Sequence, residues 1–315
     1  MAMGLSVDAE FLSALKPFLE GQAQVEKPQL HDVAARRARY DAIGGQVPII
    51  PESVVFETLM IRQEEGPGLR VYHLKPQNIS SSTAAAVHFH GGGLISCTPD
   101  IATERLASYV RDTGVQIFSV DYRLAPEHRY PAALDDGWFT LAWVHENAPQ
   151  LLVDRTRIAV MGDSAGGGLA AALSIRARDE QLSPPIARQI LCSPMLDDRT
   201  TGDVPGDFKL WDAEDNLTAW TAYLGESPGG NEVPATAAPA RVAEVEGLPP
   251  LYLDTSQFDL FVKENLDWVR RFVEAGVEVE CHVSPGLPHG FDSLLPSHRV
   301  TLEYEEHRKR NLRML

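Results

Sequence analysis

A serine with glycine two residues to either side, in Gly162-Asp163-Ser164-Ala165-Gly166, is the residue in this chain best suited to nucleophilic chemistry. The pentapeptide follows the apolar run Arg157–Met161 and opens the small-residue run Ala165–Arg178, a pattern that reads strand, turn, helix. A hydroxyl on such a turn projects above the sheet. The backbone there is strained, and side chains two positions away would collide. Gly167 and Gly168 let the helix approach the sheet closely. The Ala165 amide, at a helix N-terminus, is aimed where negative charge would develop on a substrate carbonyl. A phosphate-binding loop would also use glycine, but the Lys-Ser/Thr ending is missing.

Acyl transfer needs an oxyanion site, a base and a group that orients the base. His90-Gly91-Gly92-Gly93, after the strand-like Ala84–Phe89, offers closely approachable amides for the first. His88 and His90 would face one side of that strand. No cysteine or carboxylate nearby completes a metal site, and His90 is expected to brace the loop through a hydrogen bond. Of ten histidines, His289 in Pro285–Phe291 is best placed as base, in the loop after the last strand. His282 lies within a strand, His128 in a loop before the nucleophile, and His298 and His307 on a polar terminal helix expected to be solvated. Asp254 and Asp259 both qualify as the acid between Ser164 and His289, and Asp259, in a loop, is preferred.

These residues need a scaffold. Residues 5–45 read as helical, with Phe11, Leu15, Phe18 and Leu19 on one face. Val54–Ile61 and Leu69–Leu74 form a hairpin. Strands then alternate with helices: Ala84–His90, Ile101–Arg111, Val115–Val120, Pro131–Asn147, Arg157–Met161, Ala165–Arg178, Arg188–Cys192, Leu251–Asp254, a helix carrying Val262, Leu266, Val269 and Val273, Val277–Val283, and a last helix from about Arg299. The alternation predicts an α/β fold with a mostly parallel sheet covered on both faces. Residues 197–247 break it, and their Trp211, Trp220 and Tyr223 need burial. They are expected to form a helical cap with residues 1–45 over a single domain spanning 1–315.

The net charge of −16 argues against nucleic acid and anionic membrane as partners. Three scattered cysteines, Cys97, Cys192 and Cys281, imply neither a disulfide framework nor a zinc site. Cys192 and Cys281 lie in apolar runs and are expected to be buried. No signal peptide or membrane-spanning run is read, so a cytoplasmic protein is expected. A monomer and a homodimer both stay open.

Taken together, His90–Gly93, Asp121-Tyr122-Arg123-Leu124-Ala125-Pro126-Glu127-His128 and Gly162–Gly166 resemble the hormone-sensitive-lipase-like esterases of the α/β-hydrolase fold, over roughly residues 50–310. Ser193–Asp198 and His289-Gly290-Phe291 also look familial. The resemblance implies a Ser164–His289–Asp259 triad, an oxyanion hole from the Gly92, Gly93 and Ala165 amides with Gly91 beside it, and no metal or organic cofactor. The family often has Asp-Pro-Leu at its acid, whereas Asp259 is followed directly by Leu260. Leu94, Trp211, Tyr223 and Asp163 are expected around the substrate, Asp163 chiefly shaping the turn. Arg123 and Glu127 are expected to pair with each other. The function implied is hydrolysis of short-chain or acetylated small-molecule esters. A deacetylase, amidase or lactonase would use the same triad, and a non-catalytic receptor would lack the histidine that is present here.

Overall fold

The computed structural model describes residues 6–22, 27–41, 47–61, 68–202 and 210–315. Two N-terminal helices, α1 (Ala9–Gln22) and α2 (Val33–Asp41), precede β1 (Val54–Ile61) and β2 (Leu69–Pro76). There follow β3 (Thr83–Phe89), α3 (Asp100–Thr113), β4 (Gln116–Val120), α4 (Ala132–Glu146), α5 (Ala148–Leu151), β5 (Val153–Asp163), α6 (Ala165–Asp179) and β6 (Arg188–Cys192). The chain ends with α7 (Ala213–Leu224), β7 (Leu251–Phe258), α8 (Val262–Glu274), β8 (Val279–Pro288), α9 (Phe291–Leu294) and α10 (Arg299–Arg313).

The eight strands form one sheet in the order β1-β2-β4-β3-β5-β6-β7-β8. β1 and β2 pair antiparallel, as expected of the hairpin, and β2 pairs antiparallel with β4. All pairings from β4 to β8 are parallel. After β3 the chain moves one way across the sheet to β4, then back past β3 to β5. Ligands gather in the crevice that such a reversal leaves at the carboxyl ends of the strands. The loop after β3 and the turn after β5 both border that crevice, with Phe89 and Gly162 in register.

Period-two alternation divides the core. Val87, Phe89, Val160 and Leu253 face α4, α6 and α8, meeting Leu141, Leu169 and Trp268. Ala86, Met161, Ile190 and Tyr252 face the other way and meet Leu106 and Val110 of α3 and Leu312 of α10. This second face carries polar side chains at the strand ends, where His88 and Asp254 are each 1% exposed or less.

The structure refines several boundaries. Residues 5–45, read as helical, hold two helices with Pro28 in the connection; residues 5, 23–26 and 42–45 of that stretch lie outside the described residues. β5 begins at Val153 rather than Arg157, because Val153 pairs with Thr83 across an irregularity. In 197–247 the described residues form α7 and a 3₁₀ turn at Pro239–Arg241, with no strand; 203–209 lie outside them. Cys192 is buried as expected, while Cys281 is half-buried.

Helix α7 starts in a capping box, Asp212 accepting from the Glu214 and Asp215 amides while Asp215 accepts from the Asp212 amide. Its Trp220 and Tyr223 are each 1% exposed. Arg36 of α2 donates from Nε to Asp215 at 2.8 Å, both side chains buried. Burial and the nearby Asp212 raise the Asp215 carboxyl, and Arg39 and Arg36 only partly offset them. Arg36→Met should therefore leave a buried carboxylate without its closest partner, at a cost of about 3–5 kcal/mol. Hydrogen exchange should show lost protection in α7 and unchanged protection in β3–β7.

Candidate active site

Ser164 holds φ = 54°, ψ = −119° between the end of β5 and the start of α6. A side chain in the positive-φ region is strained and persists only where its surroundings fix it. The Ser164 amide donates to Cys192 O at 2.8 Å, and its carbonyl accepts from Met195 N at 3.0 Å and Gly168 N at 3.1 Å. Only glycine fits at 166, because a Cβ there would lie 2.1 Å from Phe89 O. The first amides of α6 lack intrahelical acceptors and face the crevice end of the sheet.

The structure brings Ser164, His289 and Asp259 together. His289 Nδ1 lies 2.7 Å from Asp259 Oδ2, and Nε2 lies 2.8 Å from Ser164 Oγ. An ionised carboxylate only accepts, so Nδ1 donates to it and the neutral ring leaves Nε2 free to accept from the serine. The other carboxylate oxygen accepts from the Phe261 amide at 2.8 Å, and the Phe261 ring meets the imidazole edge-on at 5.0 Å. Asp259 is 3% exposed and His289 9%. Burial would lower the imidazole pKa, but Asp259 outweighs it, with Asp292 and Asp163 adding, and the net direction is upward. The rival acid, Asp254, is engaged elsewhere, by Arg308 at 2.7 Å and the Tyr252 hydroxyl at 2.9 Å.

The loop after β3 lies against this row. A Cβ on Gly91 would be 3.5 Å from Ser164 Cβ. Gly92 O accepts from Ser96 N at 3.0 Å and Ser96 Oγ at 2.8 Å, closing a tight turn. Gly93 has φ = 64°, and a Cβ there would fall 2.2 Å from the Trp211 ring. His90 braces the loop as expected: Nδ1 lies 2.7 Å from Gly91 O and the ring stacks on Tyr122 at 4.2 Å. Burial pushes its pKa down to about 4, so it stays neutral. Leu94 is 4% exposed and joins the main core, its carbonyl accepting from Ala125 N at 2.9 Å. Trp211 covers the loop, with Tyr40 nearby and Leu210 beside Gly290. Tyr223 packs edge-on against Tyr130 and Trp220.

Several charged residues have other partners than their spacing suggested. Arg123 and Glu127 do not pair: Arg123 binds Asp136 at 2.8 Å and Glu127 binds Arg37 at 2.6 Å. Pairs within one loop look close in sequence, but this loop turns the two residues toward different helices. The Asp163 carboxylate is directed not to a substrate but to Arg105 at 2.5 Å and His88 at 3.1 Å. Burial would raise that carboxyl, but Arg105 and His88 outweigh it and hold it well below the usual range. His298 is 2% exposed rather than solvated, capping α10 at Val300 N and meeting Asp8 at 3.3 Å. Arg37 has a part that no motif indicated: it donates to Ile95 O at 2.6 Å and Ala125 O at 2.8 Å, tying α2 to the glycine loop. The Ala34–Arg39 run of arginines was the available signal.

A family profile described as "alpha/beta hydrolase fold" matches residues 86–293. Esterase LipI of Mycobacterium tuberculosis is 35% identical over 248 residues, covering 78% of this chain and 77% of its own length. Mouse hormone-sensitive lipase is 37% identical over 145 residues, 46% of this chain and 18% of that protein. A solved bacterial heroin esterase superposes with TM-score 0.89 at 32% identity, over 98% of both chains. The chain thus belongs to the hormone-sensitive-lipase-like esterases of the α/β-hydrolase fold, and it is a carboxylic ester hydrolase.

Proposed function

We propose that the protein hydrolyses short-chain or acetylated small-molecule esters through an acyl-enzyme on Ser164. The observation that carries this is the continuous hydrogen-bonded row from Ser164 Oγ through His289 to Asp259, at 2.8 and 2.7 Å. His289 accepts the Ser164 proton as Oγ attacks the ester carbonyl, and Asp259 holds the ring and stabilises the imidazolium. The Gly92, Gly93 and Ala165 amides take up charge on the carbonyl oxygen, with Gly91 keeping the loop close. The alcohol leaves with the proton from His289, and water then releases the acid by the same steps in reverse roles. No part of this route requires a metal or an organic cofactor.

Ser164→Ala should lower kcat for p-nitrophenyl acetate by roughly 10⁵–10⁶-fold and abolish labelling by a fluorophosphonate probe. Retention of full activity would sink the assignment. The sign of the pH dependence follows from the base. His289 acts only when neutral, and its pKa lies above the ordinary 6.5. Activity should fall as pH drops through that raised value, so the acid limb of kcat/KM should have its midpoint above pH 6.5.

Trp211 supports the preference for small acyl groups, since its indole covers the glycine loop and is 4% exposed. We assign it the wall that limits substrate size, with the cap of α1, α2 and α7 behind it. Trp211→Ala should shift preference toward longer p-nitrophenyl esters, by about fourfold in kcat/KM per added methylene at ~0.8 kcal/mol per buried CH₂. An unchanged chain-length profile would place the limiting wall elsewhere.

A further inference from the structure

Beneath the site runs a chain of buried and half-buried charges that the reaction itself does not use. Arg105 of α3 binds Asp163 at 2.5 Å and lies 3.6 Å from Asp292. Arg308 of α10 binds the same Asp292 oxygen at 2.9 Å and Asp254 through two nitrogens at 2.7 and 2.8 Å. His88 and the Tyr252 hydroxyl close the two ends, on Asp163 and Asp254. Each aspartate belongs to a segment that carries one residue of the hydrogen-bonded row. Asp163 directly precedes Ser164. Asp292 lies in the first turn of α9, just after His289. Asp254 is in β7, whose end leads into Asp259.

We propose that Arg105 and Arg308 are positioning residues for ester hydrolysis, gripping one aspartate in each of the three segments so that Ser164, His289 and Asp259 stay in register. The proposal rests on the reading of Ser164 and His289 as nucleophile and base.

The geometry gives the grip its force. Arg308 is 2% exposed, and the Asp163, Asp254 and Asp292 side chains are 22%, 1% and 13% exposed. Charges with so little water around them interact strongly and cannot exchange partners freely. Arg105 reaches segments that are far apart in the chain from a single helix position. Local displacements matter here, because a shift of about 1 Å between reacting groups can cost roughly 10²-fold in rate.

The chain also sets the charge around the base. The ionised groups facing His289 are Asp259 from the β7–α8 connection, Asp292 from α9 and Asp163 from β5. Behind them stand Arg105 from α3 and Arg308 from α10. Burial keeps His88 of β3 below its ordinary pKa, so it adds no positive charge near neutrality. Asp163, Asp292 and Asp254 against Arg105 and Arg308 leave one net negative charge in the chain.

The test uses Asp292→Asn and Arg105→Lys in the full-length protein, with p-nitrophenyl acetate as substrate. Fluorophosphonate titration counts the competent sites, so a partly misfolded sample is corrected for. Asp292→Asn removes a negative charge that faces His289. It should lower kcat per titrated site on the order of tenfold, leave KM within about twofold, and move the acid limb to lower pH. Arg105→Lys keeps the charge but loses the two-sided fork, so it should lower kcat less and leave the acid limb nearer the parent's. If both variants keep parental kcat per site and an unmoved acid limb, the positioning role is overturned, even if both melt at lower temperature. Ser164→Ala separates the two claims: activity surviving there removes the underlying assignment of the nucleophile, whereas its loss beside an unaffected Asp292→Asn removes only the positioning role.

Discussion

At the start of α6 the backbone passes so close to the end of β3 that a methyl group on Gly166 would lie 2.1 Å from the Phe89 carbonyl oxygen. That approach is possible only without a side chain, and much of the site follows from it. It draws the helix N-terminus against the loop that leaves β3, so the amides of both border the same space. It also forces the residue between strand and helix into φ = 54°, which points Ser164 Oγ out of the sheet and toward the loops. The strain is held by backbone hydrogen bonds: the Ser164 amide donates to the Cys192 carbonyl, and the Ser164 carbonyl accepts from the Met195 and Gly168 amides. The backbone of the nucleophile is therefore fixed by main-chain contacts.

A second constraint comes from side-chain parity. Residues of β3, β5 and β7 that face α3 and α10 are apolar near the strand starts and middles: Ala86, Met161, Tyr252. The next positions on the same face are His88 near the end of β3, Asp163 at the end of β5 and Asp254 in the middle of β7. Apolar packing thus gives way to buried charge where the strands enter the active-site layer. Buried ion pairs are weak sources of stability, because desolvation consumes most of the attraction.

How legible this was depended on the range of the contacts. The elbow, the glycine loop and His289 could be read because each is a local pattern tied to a strand end, and the order of strands and helices follows from short-range periodicity. Asp259 was separable from Asp254 only by its place in a loop; the structure adds that Asp254 is committed to Arg308, 54 residues away. The Arg123–Glu127 expectation failed for the same reason. Proximity in sequence suggested a pair, but the partners are Asp136 and Arg37, chosen by helix packing that no local pattern encodes. His298 looked solvated on a polar helix, yet Asp8 from the far end of the chain covers it. The parity of His88, Asp163 and Asp254 was present in the sequence. What it lacked was the identity of the two arginines they would meet.

The charges around His289 also pull in opposed directions. Asp259 must lie close, because it fixes the tautomer and stabilises the imidazolium formed as Ser164 loses its proton. Every nearby carboxylate raises the pKa of the ring, and Asp259, Asp292 and Asp163 all do so. A ring raised too far would be protonated at neutral pH and unable to accept a proton. Arg105 and Arg308 pair with Asp163, Asp292 and Asp254 beneath the site, two positive charges against three negative ones, so part of the negative charge facing the ring remains. Positive charge behind Asp163 and Asp292 instead holds both carboxyls ionised, while the Asp259 carboxylate acts on the imidazolium itself.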